Sequence, residues 1–350
     1  MGTWARMVAI GVVTAGVAGT QAQVQKMTSE PVLRVVQSNG IRMRIAEQGA
    51  GPLVLLLHGW PESWYSWRYQ IPALAQAGYH VVAPDMRGFG GTEAPPAIED
   101  YAIQKLTADV AGLIDALGEK QAIVIGHDWG ASVAWYCMLL NPERYRAIVA
   151  MSVPLRPRTS EPPTTVLRRV YGTRFFYQLY FQQPGLAEKE LDGDPREFLS
   201  RIYASPDTPR RPPELTNPDA SSGGWTLRLG KPTAAVPWLS AADLDYYVAE
   251  FQRTGFRGGL NYYRNYDRNW ETTAQLADAV ITAPTLFLAG EKDLVIAGAT
   301  KDQLVALMSN RVKNLRGIEL YAGGGHWVQQ ERAAEVNEAV IRFLKSLPPP

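Results

Sequence analysis

Two alternating apolar-polar runs, VLRVVQS and IRMRIAEQG, flank Asn39-Gly40, a pattern that predicts a β-hairpin closed by a two-residue turn. The pattern then changes. LVLLLHG (53–59), HVVAPD (80–85), AIVIG (122–126) and AIVAMSVP (147–154) are nearly continuous apolar runs, as in strands buried on both faces of a parallel sheet. Between them lie segments of helical period. One surrounds Trp67–Ala77; the other, Tyr101–Leu117, places apolar residues at Leu106, Val110, Leu113, Ile114 and Leu117. Strands alternating with helices predict a mainly parallel, doubly wound α/β sheet joined by right-handed crossovers.

The rhythm breaks after Pro154. From Leu155 to Asp267 strand signal is sparse, aromatic residues are frequent, and SPDTPRRPPELTNPDASSGG (205–224) is proline-rich. Strand patterns return in APTLFLAGEKD (283–293) and IELYAGGGHW (318–327), and a last helix follows. The expected organisation is one α/β core in two parts, 23–154 and 268–350, interrupted by a helical cap over 155–267. Ahead of the core, Arg6 supplies a positive charge, residues 7–19 an apolar run, and small residues lead to Ala22. That run is short against the roughly 20 apolar residues of a membrane helix. It reads as a secretory signal over 1–22 cleaved near Ala22, with export to the periplasm or the exterior and no stable membrane insertion.

Charge adds an exclusion. Across 350 residues the net charge is +1 and no dense Lys/Arg run occurs, so nucleic acid and anionic membrane surfaces are not expected partners. Cys137 is the only cysteine, which rules out an intramolecular disulfide. No metal-ligand cluster or dinucleotide-binding glycine loop occurs, so no metal or organic cofactor is implied. Trp and Tyr gather in the middle third, which suits an apolar pocket for a small molecule. A homodimer is compatible with the sequence, but nothing in it demands one.

IVIGHDWGAS (123–132) reads as a buried strand, a glycine turn and a helix. This is the layout of a nucleophile elbow, G-x-S-x-G, with Asp128 in the serine position. Of the four histidines, His58 and His80 belong to strands or their ends, and His127 points elsewhere along the turn. Only His326 stands on a loop after a late strand. Asp128, Asp293 and His326 follow the order nucleophile, acid, base of α/β-hydrolases, each at a strand's C-terminal end. The turn HGWPE (58–62) can present the Trp60 N–H, and the Trp129 N–H follows the nucleophile. Together these would form an oxyanion hole.

A carboxylate is ionised at neutral pH and can displace a leaving group from saturated carbon, giving an alkyl-enzyme ester. His326, oriented by Asp293, would then activate water against that ester. Two substrate classes fit: epoxides and haloalkanes. A halide leaves as an anion and needs only N–H donors. An epoxide gives an alkoxide and needs a proton donor such as a tyrosine of pKa about 10. FFYQLYFQQPG (175–185) and NYYRNYDRNW (261–270) supply tyrosines, although by themselves both also read as packed aromatic helix faces.

From about Val32 to Leu347 the chain resembles the α/β-hydrolase-fold epoxide hydrolases of the soluble type. The matching stretches are HGWPESWYSWRYQ, PDMRGFGGT, GHDWGA, YQLYFQQPG, GFRGGLNYYRN, EKD and GGHW. The resemblance implies Asp128 as nucleophile, Asp293 as charge-relay acid and His326 as base. It also implies Tyr177 and Tyr263 as the pair donating to the epoxide oxygen, and leaves Tyr180 and Tyr262 as packing. The expected partners are a small apolar epoxide and water, and the expected product is a vicinal diol. The competing readings are a haloalkane dehalogenase using the same Asp128 and a non-catalytic binding protein on the same fold.

Overall fold

The computed structural model describes residues 30–210 and 224–349. The expected signal segment and residues 211–223 of the proline-rich stretch lie outside the described residues. The strands are β1 (Val32–Ser38), β2 (Ile41–Gln48), β3 (Leu53–Leu57), β4 (His80–Pro84), β5 (Ala122–His127), β6 (Tyr145–Met151), β7 (Thr285–Gly290) and β8 (Leu315–Tyr321). They form one sheet in the order β1-β2-β4-β3-β5-β6-β7-β8. β1 and β2 make the expected hairpin, with Ser38 opposite Ile41 and positive φ at both Asn39 and Gly40. β2 pairs antiparallel with β4, and every pairing from β4 to β8 is parallel.

Every residue of β3, β5 and β7 is buried. Helices cover both faces, so these strands need apolar residues at successive positions and do not alternate. Leu55, Leu57 and Val124 pack toward α2 (Ile103–Ala116) and α3 (Trp129–Leu140). Val54, Leu56 and Ile125 pack toward Ile71 and Leu74 of the short helix α1 (Gln70–Gln76) and toward the C-terminal helix Ala333–Lys345. Around Trp67 the expected helix is split into a 3-10 turn, Trp64–Trp67, and the helix beginning at Gln70. Pro72 lacks an N–H and is tolerated only in a first turn, which sets that later start.

Chain order places the site. From β3 the chain winds outward to β4, then crosses to β5 on the other side of β3. Loops leaving the C-terminal ends at such a switch point diverge and open a crevice. Trp60 follows β3 there and Asp128 follows β5.

Between β6 and β7 the described residues contain no strand. Helices instead run from Pro163–Tyr171 through Arg257–Arg264 to Tyr266–Thr272. Side chains tie this segment to the loops at the crevice. The Tyr203 hydroxyl donates to the Pro61 carbonyl at 2.5 Å, and that of Tyr262 to the Arg87 carbonyl at 2.9 Å. Arg44 pairs with both Asp85 (2.5 Å) and Glu250 (2.7 Å).

Candidate active site

β5 leads into a turn that only glycine can flank. A Cβ on Gly126 would stand 2.2 Å from the Gly130 carbonyl oxygen, and one on Gly130 would stand 1.9 Å from that of Leu57. Asp128 itself has φ 51°, a conformation that costs a non-glycine residue about 1–3 kcal/mol. Its Oδ1 accepts the Trp60 N–H at 2.8 Å, and the Trp129 N–H opens α3 directly after it. The Trp60–Pro61 peptide is cis.

The loops after β7 and β8 bring in the other two members of the expected triad. His326 Nδ1 lies 3.0 and 3.1 Å from the two Asp293 oxygens, and Nε2 lies 3.5 Å from Asp128 Oδ2. The Val295 N–H donates to Asp293 Oδ1 at 2.9 Å. Burial lowers the basicity of His326, but the Asp293 charge and hydrogen bonds to Asp128 and Asp293 outweigh it. The imidazole pKa therefore stands well above its ordinary 6.5. For Asp293, burial acts upward and the His326 charge and hydrogen bond act downward. The downward influence prevails, and the carboxyl sits below its ordinary range.

Tyr177 and Tyr263 line the same cavity, of about 180 Å³, as Asp128, Asp293 and His326. Their rings meet edge-on with centroids 5.9 Å apart. Burial first and the Asp128 charge second push both phenols well above 10, so both are protonated donors at neutral pH. Trp225 stacks on Tyr177 at 4.6 Å and on Trp60 at 5.7 Å, which keeps that wall apolar. Tyr180 and Tyr262 do not line the cavity; their hydroxyls donate to Glu190 (2.7 Å) and to the Arg87 carbonyl. Among the described residues no group of His, Cys, Asp and Glu could hold a metal ion, and no described helix is long and apolar enough to cross a membrane.

Residues 52–333 match the α/β-hydrolase fold family. Epoxide hydrolase A of Mycobacterium tuberculosis is 47% identical over 328 residues, which cover 91% of this chain and 98% of that protein. The chain belongs to the epoxide hydrolase family. The crystal structure of epoxide hydrolase A from Mycobacterium thermoresistibile matches at TM-score 0.83 and 49% identity, covering 91% of this chain and 100% of that one. An epoxide hydrolase from an endophytic Streptomyces matches at TM-score 0.84 and 40% identity, covering 91% and 96%. The bifunctional epoxide hydrolase 2 of Rattus norvegicus is 39% identical over 88% of this chain, but the match spans only 54% of that protein.

Several residues that brace this epoxide hydrolase site were not singled out by its sequence. Glu62 and His127 are fully buried. Glu62 Oε2 accepts from the Gly59 N–H (2.9 Å) and His127 Nδ1 (2.8 Å); Oε1 accepts from the side-chain amides of Gln329 (2.8 Å) and Gln330 (3.2 Å). His127 Nε2 lies 2.7 Å from the His326 carbonyl oxygen. Both ring nitrogens of His127 thus end on oxygen atoms of the chain. Burial acts to raise the Glu62 carboxyl, but the His127 charge and hydrogen bonds bring it down to about 2. Ser152 Oγ donates to the same His326 carbonyl at 2.9 Å. Glu331 accepts the N–H groups of Gly325 (2.6 Å) and Trp327 (2.9 Å), one on each side of His326. The backbone of the histidine is thus fixed from three directions.

Proposed function

We propose that this epoxide hydrolase works in two covalent steps, with Asp128 as nucleophile and His326 as base only in the second. The supporting observation is one cavity that holds the Asp128 carboxylate, the His326–Asp293 pair and two protonated phenols. The helical segment acts as the cap that supplies those phenols. Asp128 Oδ2 bonds to an epoxide carbon as the ring carbon–oxygen bond breaks, while Oδ1 stays on the Trp60 N–H. Tyr177 and Tyr263 hold the leaving oxygen, and one of them gives it a proton.

The ester so formed is neutral. The Asp128 charge that helped to keep His326 protonated is gone, and its imidazole becomes less basic. Its proton restores the tyrosine, which frees Nε2. His326 then takes a proton from water as the water oxygen attacks the ester carbon, and the Trp60 and Trp129 N–H groups hold the oxyanion on Oδ1. Collapse releases the diol, protonated by His326, and the free carboxylic acid of Asp128 returns its proton to His326. Epoxide and water are consumed, one diol is formed, and the resting state is restored.

Conversion of styrene oxide to its diol tests the assignment. The double change Tyr177→Phe and Tyr263→Phe should slow ring opening by about 10²–10⁴-fold, and each single change by less. Parental ring opening in the double variant, or turnover of a haloalkane in place of the epoxide, would shift the reading to a dehalogenase. We also propose export, supported by Arg6, the apolar run over 7–19 and the small residues leading to Ala22. N-terminal sequencing of native protein should begin near Gln23, and a soluble form starting at Met1 would contradict this.

A further inference from the structure

Tyr203 ends the cap helix Pro195–Ile202 and is 1% exposed. Its ring is held by Trp327 (4.8 Å), Tyr247 (5.1 Å) and Trp238 (5.9 Å). Burial, above all, pushes its phenol well above 10, so the hydroxyl is a protonated donor at neutral pH. Tyr203 does not line the cavity around Asp128. Its hydroxyl donates instead to the Pro61 carbonyl at 2.5 Å, on the turn that follows β3.

The peptide group that holds the Pro61 carbonyl also holds the Glu62 N–H, which donates to the Gly59 carbonyl at 3.2 Å. The peptide group of that second carbonyl holds the Trp60 N–H, which donates to Asp128 Oδ1 at 2.8 Å. Three hydrogen bonds and two peptide groups thus run in series from a cap phenol to the nucleophile, and every donor points the same way. Hydrogen bonds in such a chain polarise one another, by roughly 10–30% per bond. The turn is also pressed into place. A Cβ on Gly59 would stand 2.4 Å from that of Asp128, and the Gly59 N–H is fixed on Glu62 Oε2 at 2.9 Å.

We propose that Tyr203 is a positioning residue for the second chemical step: through this relay it aims and strengthens the Trp60 N–H on the oxygen that becomes the oxyanion. The inference rests on the two-step reading above. Its sign follows from where charge moves. Alkylation removes negative charge from Asp128, so a stronger Trp60 N–H gives that step no help. Attack of water on the ester returns the charge to Oδ1, where the relay stabilises it.

Acid-quenched mixing of the full chain with styrene oxide, read by intact-mass spectrometry, gives the rates of alkylation and of adduct decay. In Tyr203→Phe, which keeps the ring, decay should slow about fivefold to tenfold and alkylation should not slow. Any fall in kcat should be matched in KM, because kcat/KM reports only the steps through alkylation. Tyr262→Phe is the matched control. The Tyr262 hydroxyl also spans cap to core from a buried ring, but it ends on the Arg87 carbonyl, outside the oxyanion turn. That variant should keep the parental decay rate. Replacing Tyr203 by 3-fluorotyrosine keeps the ring and the hydroxyl and makes the hydroxyl a stronger donor, so decay should quicken; it carries the test if Tyr203→Phe does not fold. Parental decay in a folded Tyr203→Phe or in the fluorinated protein would overturn the proposal, as would equal slowing in Tyr262→Phe. Those results would leave the two-step reading standing. A covalent adduct found in neither parent nor variants at any mixing time would overturn both.

Discussion

Two histidine–carboxylate pairs stand side by side in this molecule, with imidazole centroids 4.9 Å apart, and they differ in what the second nitrogen of each ring meets. In the His127–Glu62 pair both side chains are completely buried, and both ring nitrogens end on acceptors. In the His326–Asp293 pair one nitrogen rests on Asp293, and the other faces Asp128 across 3.5 Å at a cavity wall. The second nitrogen makes the difference. A backbone carbonyl keeps the same charge throughout turnover, so the surroundings of His127 do not change and it braces the site. In the proposed mechanism Asp128 loses its charge on becoming an ester, which would make the same imidazole chemistry at His326 a switch. His58 is a third case. It accepts the Met86 N–H on Nε2 and places Nδ1 against the Gly59 carbonyl, which requires a neutral ring, and burial lowers its pKa accordingly.

The comparison breaks most visibly at Glu62. Glu62→Gln breaks a completely buried histidine–carboxylate pair, which should cost about 3–5 kcal/mol of stability at pH 7 in denaturant unfolding. The pH window follows from a carboxyl lowered from 4.5 to about 2. Its contribution is fully present above pH 4.5 and is lost as pH falls through about 2, so the parent should show that acid-side loss and the variant should not. Equal stability at pH 7 would mean that the pair is not ionic. A smaller effect is expected at Glu331, which holds the backbone beside His326 and touches neither Asp128 nor the phenols in any hydrogen bond described above. Glu331→Gln keeps the shape but cannot accept both N–H groups as well. Rapid-mixing single turnovers should show ester hydrolysis slowed about tenfold with alkylation unchanged. Equal slowing of both steps would show that Glu331 supports the whole site, not the second step alone.

The sequence was most readable where one residue's neighbours along the chain settle its environment. The strands follow from LVLLL, AIVIG and TLFLAG, because a doubly covered strand needs unbroken apolar residues. The elbow follows from Gly126 and Gly130 around Asp128, since the backbone packs too closely there for any Cβ. The order Asp128, Asp293, His326 could also be read, but the choice of Tyr177 and Tyr263 among many tyrosines came from family motifs, because periodicity cannot tell a cavity wall from a packed face. The bracing residues could not be read at all. Glu62 meets His127 across 65 residues and Gln329 across 267, and Ser152 meets the His326 carbonyl across 174. Each is an ordinary polar residue until the sheet closes.

The most direct test of the account is to hold His326 out of the second step and look for the first. In His326→Gln, incubation with styrene oxide followed by intact-mass and peptide mass spectrometry should find the protein heavier by one epoxide, with the added mass on the peptide containing Asp128. The adduct should persist while diol formation stops. Diol production at the parental rate in this variant, or an adduct placed on a residue other than Asp128, would contradict the division of labour between the two residues.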